Sequence, residues 1–316
     1  MAYAEGEIFK DTLRGICISS LLCIACLYVP VIGFLCALLI PLSVLFYSSK
    51  IGRRSGLIVS GTTVFVLICI LRNVSIDIVF FAELLFLGFI LSELFHFELP
   101  IEKTIGYASF CILATVTVSL IIYGNIQGTG IYVIISEYVA INLKQSIEIY
   151  KQMGMPEENI RMLSDYMEQI QYVLIRIIPS LVIVSTLLLS WVTLLIAKLL
   201  FARKKLFYPD FGTLNLWKAP EHLVWLVIAS FLMLLIPDKT IRIFGINILL
   251  VMMPVYFFQG LAVVSFYFDK KRLPRGLRIL LYSIIVFQYL AAVFIAGLGF
   301  FDIWLNIRKT EYPQKS

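Results

Sequence analysis

GNIQGTGIYVIISEYVAINLKQSIEIYKQMGMPEENIRMLSDYMEQIQ (residues 124–171), followed by YVLIRIIPSLVIVSTLLLSWVTLLIAKLL (residues 172–200), is the stretch that decides the fold. Its first part is the long polar run of the chain. Its second part is apolar enough to cross a hydrocarbon layer of roughly 30 Å. The breaker cluster at 124–130 ends whatever helix precedes it. From Ile131 to Gln152 the apolar positions Ile134, Tyr138 and Ile141 recur at helical spacing. Gly154 interrupts that helix, and Pro156 with Glu157 and Glu158 marks the start of another. Ile160, Leu163, Met167, Ile170 and Leu174 then form one apolar stripe. No breaker separates this stripe from the apolar run beginning at Tyr172, so a single helix of about 66 Å is expected from 157 to 200, kinked at Pro179. The stripe must bury against something, so a hairpin resting over the outer ends of the membrane spans is expected.

Outward from this stretch the chain is more apolar still. Of its 316 residues 60% are hydrophobic and 15% charged. Soluble domains carry about 25% charged residues, so this chain could not hide its apolar surface from water. Mean hydropathy is +0.95. The expected fold is all-α: a polytopic transmembrane helical bundle with an extracytoplasmic helical hairpin inserted. About nine spans are expected, near 12–29, 31–48, 55–71, 74–95, 104–123, 172–200, 222–236, 244–268 and 278–301. Eight is the alternative, because only Pro30 divides the first two. The expected domains are an N-terminal membrane half, 1–123, the insertion, 124–171, and a C-terminal membrane half, 172–316. Lys10 and Arg14 precede an apolar run without a small-residue cleavage site, which reads as an uncleaved first span.

Loop charge orients the bundle. Lys50, Arg53, Arg54, Lys103, Arg203, Lys204, Lys205, Lys218 and the five basic residues of 270–278 fall on one side. Arg72, Lys144, Lys151, Arg161, Lys239 and Arg242 fall on the other. The richer side is cytoplasmic, which places the N-terminus inside and 124–171 outside. The net charge of +6 is spread over these loops rather than gathered into a basic–aromatic patch, so no nucleic-acid partner is expected. All six cysteines lie in apolar segments and are expected to be buried membrane cysteines. Gly52, Gly56 and Ser60, like Ala292 and Ala296, repeat every four residues, as helix contacts do.

Ionisable and amide side chains at membrane depth are the candidates for ligand binding. They are Glu83 near the middle of the fourth span, Asp77 near its outer end, Arg176 beside Pro179, and Asn247 and Gln259 in the eighth span. Glu83 is either a carboxylate bonded to a neighbouring helix or a functional group. Glu93 and His96 are three apart, but no further metal ligands converge on them. HExxH, GxSxG and Walker-type phosphate loops are absent, so no enzyme activity and no cofactor are expected. An ATP-driven process would need its nucleotide site on another chain.

Four short motifs carry a resemblance. Pro179-Ser180 opens the sixth span, and Trp217-Lys218-Ala219-Pro220 precedes the seventh. Tyr256-Phe257-Phe258-Gln259-Gly260-Leu261-Ala262 lies within the eighth. Leu298-Gly299-Phe300-Phe301-Asp302-Ile303-Trp304 with Arg308 closes the chain. In these the chain resembles the YybS-like family of bacterial polytopic membrane proteins over its whole length. That family is distantly similar to the substrate-binding membrane subunits of energy-coupling-factor vitamin transporters, and to MreD-like cell-shape proteins. The first likeness implies a small-molecule-binding subunit working with a separate ATPase module in the bacterial cytoplasmic membrane. The second implies an envelope assembly or scaffold protein with envelope-assembly partners. The transporter-like reading leads.

Overall fold

The computed structural model describes residues 5–72 and 75–308. Every regular element in them is helical: α1 (Glu5–Tyr28), α2 (Pro30–Ile51), α3 (Arg53–Leu71), α4 (Ile76–Phe95), α5 (Ile101–Gln127), α6 (Ile131–Gln152), α7 (Glu157–Asp165), α8 (Met167–Lys204), α9 (Leu223–Leu235), α10 (Lys239–Lys270), α11 (Arg275–Phe287) and α12 (Tyr289–Leu305), with one 3₁₀ turn at Leu214–Leu216. The boundaries follow local chemistry. Pro30 occupies the start of α2, where its missing N–H would be unpaired anyway. Gly52, at φ 108°, separates α2 from α3 in a backbone conformation that favours glycine. Asp238 caps α10 by accepting from the Thr240 and Ile241 amides, both at 2.9 Å.

Among the described residues, seven helices are long and apolar enough to cross a membrane, or up to eight if the bent pair α11–α12 forms one span. Two expected spans differ from their sequence reading. The seventh is the 13-residue α9, short of the ~20 residues a full crossing takes. The ninth is broken: α11 and α12 meet at an angle of 100° at Gln288, whose backbone is extended. The expected single helix from 157 to 200 also divides, at Tyr166. There Ser164 Oγ donates back to the Ile160 carbonyl at 2.9 Å, a bond that competes with regular helix geometry. Helix α8 continues through Pro179.

The chain forms two compact units, Met1–Gln171 with Ser185–Asp210, and Tyr172–Val184 with Phe211–Ser316. In the first, α4 packs against α2, α3 and α5, and α1 packs against α2 and α3. Cys23, Ile40, Val44, Val59, Leu67, Phe81, Leu85 and Phe89 interlock as its core. Close approach depends on small side chains. A Cβ on Gly88 would stand 2.2 Å from the Pro41 carbonyl oxygen, and one on Gly56 would meet Ser48. Cys23 and Cys36 are buried, whereas Cys17 and Cys69 lie on outward helix faces, where lipid rather than protein must cover them. The insertion folds as α6 against α7. Its stripe residues Ile160, Leu163, Met167 and Ile170 are half-buried. Tyr138 Oη donates to Asp77 Oδ1 at 3.4 Å, and Gln171 Nε2 donates to the Ser136 carbonyl and hydroxyl at 3.1 and 2.9 Å. These bonds tie α6 to the starts of α4 and α8.

In the second unit α10 is the spine, with α9, α12 and the 3₁₀ turn against it. Helices α10 and α12 cross almost backbone to backbone. A Cβ on Gly260 would lie 1.9 Å from the Ile295 carbonyl oxygen, and one on Gly299 would lie 2.0 Å from that of Tyr256. This crossing sets the direction of α12, and the chain turns at Gln288 to reach it.

Candidate ligand-binding site

The second unit holds a cavity of about 610 Å³, walled by the Tyr172–Val184 stretch of α8, by Leu226 of α9 and by the first half of α10. Its size falls within the range of pockets for small molecules. Its polar side chains are Arg176, Ser180, Thr240 and Asn247; Ile183, Phe244, Val251 and Met252 are among the apolar ones. Asn247 donates from Nδ2 to the Arg176 carbonyl at 3.2 Å and to the Ile243 carbonyl at 2.8 Å. The first of these bonds links α10 to α8. Arg176 is braced by its own helix. Its Nη1 donates to the Tyr172 carbonyl at 3.0 Å, and its guanidinium carbon lies 3.4 Å from the centre of the Tyr172 ring. A cation so stacked keeps most of its five donors for another partner. The cavity is therefore a mostly apolar cleft with a guanidinium, an amide and hydroxyls among its walls. Such a lining suits an amphipathic molecule with an anionic or hydrogen-bonding head.

The structure thus brings together Arg176 and Asn247, two of the five residues singled out from the sequence. Gln259 is not with them. It lies more than three turns further along α10 and is fully buried. Its Oε1 accepts from the Ala219 amide at 3.2 Å, and its Nε2 donates to Asp302 Oδ2 at 3.4 Å. Asp302 pairs with Arg308, Nη2 to Oδ2 at 2.7 Å, with both side chains at 0% exposure. Arg308 Nη1 also donates to the carbonyls of Asn215 and Trp217 at 2.9 and 3.0 Å. Three of the sequence motifs therefore meet at one buried polar knot. It binds the loop before α9 to α10 and to the end of α12. Asp302 Oδ1 and Arg308 Nε are buried there without a further hydrogen-bond partner among the described residues.

Glu83 and Asp77 are engaged within the first unit. Glu83 accepts from Thr115 Oγ1 at 2.6 Å and from Ser119 Oγ at 3.1 Å, hydroxyls one turn apart on α5. The bonded-neighbour reading of Glu83 matches this geometry. Glu93 pairs with Arg53 at 3.3 Å, and no group of three metal-ligating side chains occurs among the described residues. The sequence shows Ser180 and Asp302 only as motif residues without a role, and does not single out Thr240 or Thr115. Small hydroxyls and a carboxylate inside an apolar motif gain meaning only from what the fold sets opposite them.

Comparison with known proteins supports the resemblance read from the motifs. The family model described as "Predicted membrane protein (DUF2232)" matches residues 17–303. "Uncharacterized protein YybS" of Bacillus subtilis (strain 168) is 23% identical over 323 residues, covering 97% of each chain. No solved structure matches.

Proposed function

The chain belongs to the predicted membrane protein family DUF2232, and from that premise we propose that it is a transporter-like, small-molecule-binding membrane subunit whose ligand occupies the Arg176–Asn247 cavity. One observation carries the reading: a cleft of about 610 Å³ in which a braced guanidinium and an amide stand among apolar walls. Arg176 stands where α8 enters its apolar run, braced on Tyr172 with donors left over. A carboxylate or phosphate head would give it a charge-assisted partner, and the apolar walls would take the body of the molecule. In this reading the chain binds and does not catalyse. Any ATP hydrolysis comes from a separate partner chain, and no cofactor is required.

The proposed setting is a bacterial cytoplasmic membrane with the N-terminus inside and 124–171 outside. Loop charge supports this.

A second reading, an envelope assembly scaffold, is favoured by the insertion. Ile141, Ile149, Met153 and Met162 of the α6–α7 hairpin are each more than half exposed. Native mass spectrometry of gently purified protein separates the two readings. The binding reading expects a retained small molecule that disappears in Arg176→Gln, and it gains from a co-purifying ATPase. Envelope-assembly proteins without a small molecule would support the scaffold instead. Equal retention in wild type and Arg176→Gln would refute this cavity as the site.

A further inference from the structure

The first unit carries a second amphipathic groove, of about 710 Å³, formed by faces of α1, α2 and the end of α8. Each of the three helices brings a basic residue and then apolar residues on the same face. Arg14 of α1 is followed by Ile18 and Leu22 at successive turns. Lys50 of α2 is preceded by Phe46, Leu42 and Leu39. Lys204 of α8 is preceded by Leu200. The charges are therefore gathered at one end of the groove, and the hydrocarbon runs away from them by up to three turns.

Asp11 is the carboxylate at this end. It is 4% exposed and accepts from Lys50 Nζ at 2.6 Å and from Arg14 Nη1 at 3.3 Å. Two cations thus pair with one carboxylate and Lys204 lines the same groove, leaving the mouth positive even with Asp11 ionised. Asp11 holds Lys50 and Arg14 at the rim. The Arg14 side chain is 69% exposed, so most of its donors face outward. Ser43, which also lines the groove, is bonded to Ser19 at 2.8 Å and belongs to the packing of α1 on α2.

We infer that this groove binds an anionic phospholipid, its phosphate at Arg14, Lys50 and Lys204 and an acyl chain along Ile18, Leu22, Leu39 and Phe46. Charge complementarity selects the occupant. A free anion would leave the apolar floor uncovered, and a neutral lipid would bring no charge to complement the exposed Arg14 and Lys204. Anionic headgroups attract basic residues at the membrane surface by about 1 kcal/mol per charge, or about fivefold in affinity. The end bearing these residues is also the one the loop-charge pattern assigns to the cytoplasmic leaflet.

The test uses the full chain in nanodiscs of equimolar dioleoyl-phosphatidylglycerol and dioleoyl-phosphatidylcholine. Native mass spectrometry after release reads the lipid retained. Wild type should retain phosphatidylglycerol in preference to phosphatidylcholine. Lys204→Gln should lower that preference about fivefold, and Arg14→Gln with Lys204→Gln about twentyfold or more. Lys144→Gln with Lys151→Gln, on the α6–α7 hairpin, should leave it unchanged. Lys204 is exposed at a helix end, so its single variant tests the site even if the double variant does not fold. Equal preference in wild type and Lys204→Gln would overturn the assignment. So would displacement of the retained lipid by millimolar inorganic phosphate, which would identify a free-anion site. Neither result bears on the Arg176 cavity.

Discussion

Replacing Asp302 by Asn removes the carboxylate opposite Arg308 at nearly constant volume. The Arg308 guanidinium stays at 0% exposure, with the carbonyls of Asn215 and Trp217 as its remaining partners. Breaking a buried pair by neutralising one member costs about 3–5 kcal/mol, because the other charge stays desolvated and uncompensated. The two carbonyls soften that loss, so Asp302→Asn belongs at the lower end, about 3 kcal/mol. Arg308→Met should cost more, about 4–5 kcal/mol. It strands Asp302 with Gln259 at 3.4 Å and releases the two carbonyls that hold the loop before α9. The double variant Asp302→Asn with Arg308→Met removes both charges and should fall well short of the sum of the singles, by about 2 kcal/mol or more. Unfolding in mixed detergent–dodecyl sulfate micelles, read by circular dichroism, gives the four free energies. Additivity within about 0.5 kcal/mol would show that the pair is not coupled and that the knot does not hold the second unit together.

Two further expectations concern packing and topology. Gly299→Ala must push α12 off the Tyr256 carbonyl, 2.0 Å from the added Cβ, and should cost about 2 kcal/mol, whereas Gly297→Ala, with open space around it, should be neutral or slightly stabilising in the same titration. Single cysteines at Gln152 and Arg275 in a cysteine-free background should react with an impermeant thiol reagent in intact cells at 152 and not at 275; the reverse pattern would invert the proposed orientation.

The helical bundle was legible because it rests on composition and on breakers, both local properties. Ile131–Gln152 came directly from helical spacing followed by Gly154. What was not legible depends on the partner supplied by a distant segment. Gln288 lies in an apolar stretch without proline or glycine, so nothing local marks the 100° bend. The crossing of Gly260 and Gly299 produces it from outside. Arg308 has no legible partner in the sequence, because Asp302, the carboxylate set opposite it, sits inside an apolar motif. Glu83 was recognisable as a carboxylate needing donors, but which helix supplied Thr115 and Ser119 was not. Arg176 and Asn247 were found from the sequence because a polar residue at membrane depth is conspicuous wherever it falls. Ser180 and Thr240 are unremarkable until the cavity joins them to the other two.

The decisive measurement is calorimetric. The small molecule that co-purifies with the wild-type chain would be eluted, identified and titrated back into ligand-stripped protein. Binding should saturate at one molecule per chain. Arg176→Gln should weaken it about tenfold to a hundredfold, the loss of one charge-assisted hydrogen bond of about 1.5–3 kcal/mol, while Lys144→Gln on the hairpin leaves it unchanged. An affinity unaltered by Arg176→Gln, or a wild-type chain that retains no small molecule, would contradict a ligand-binding role for this cavity.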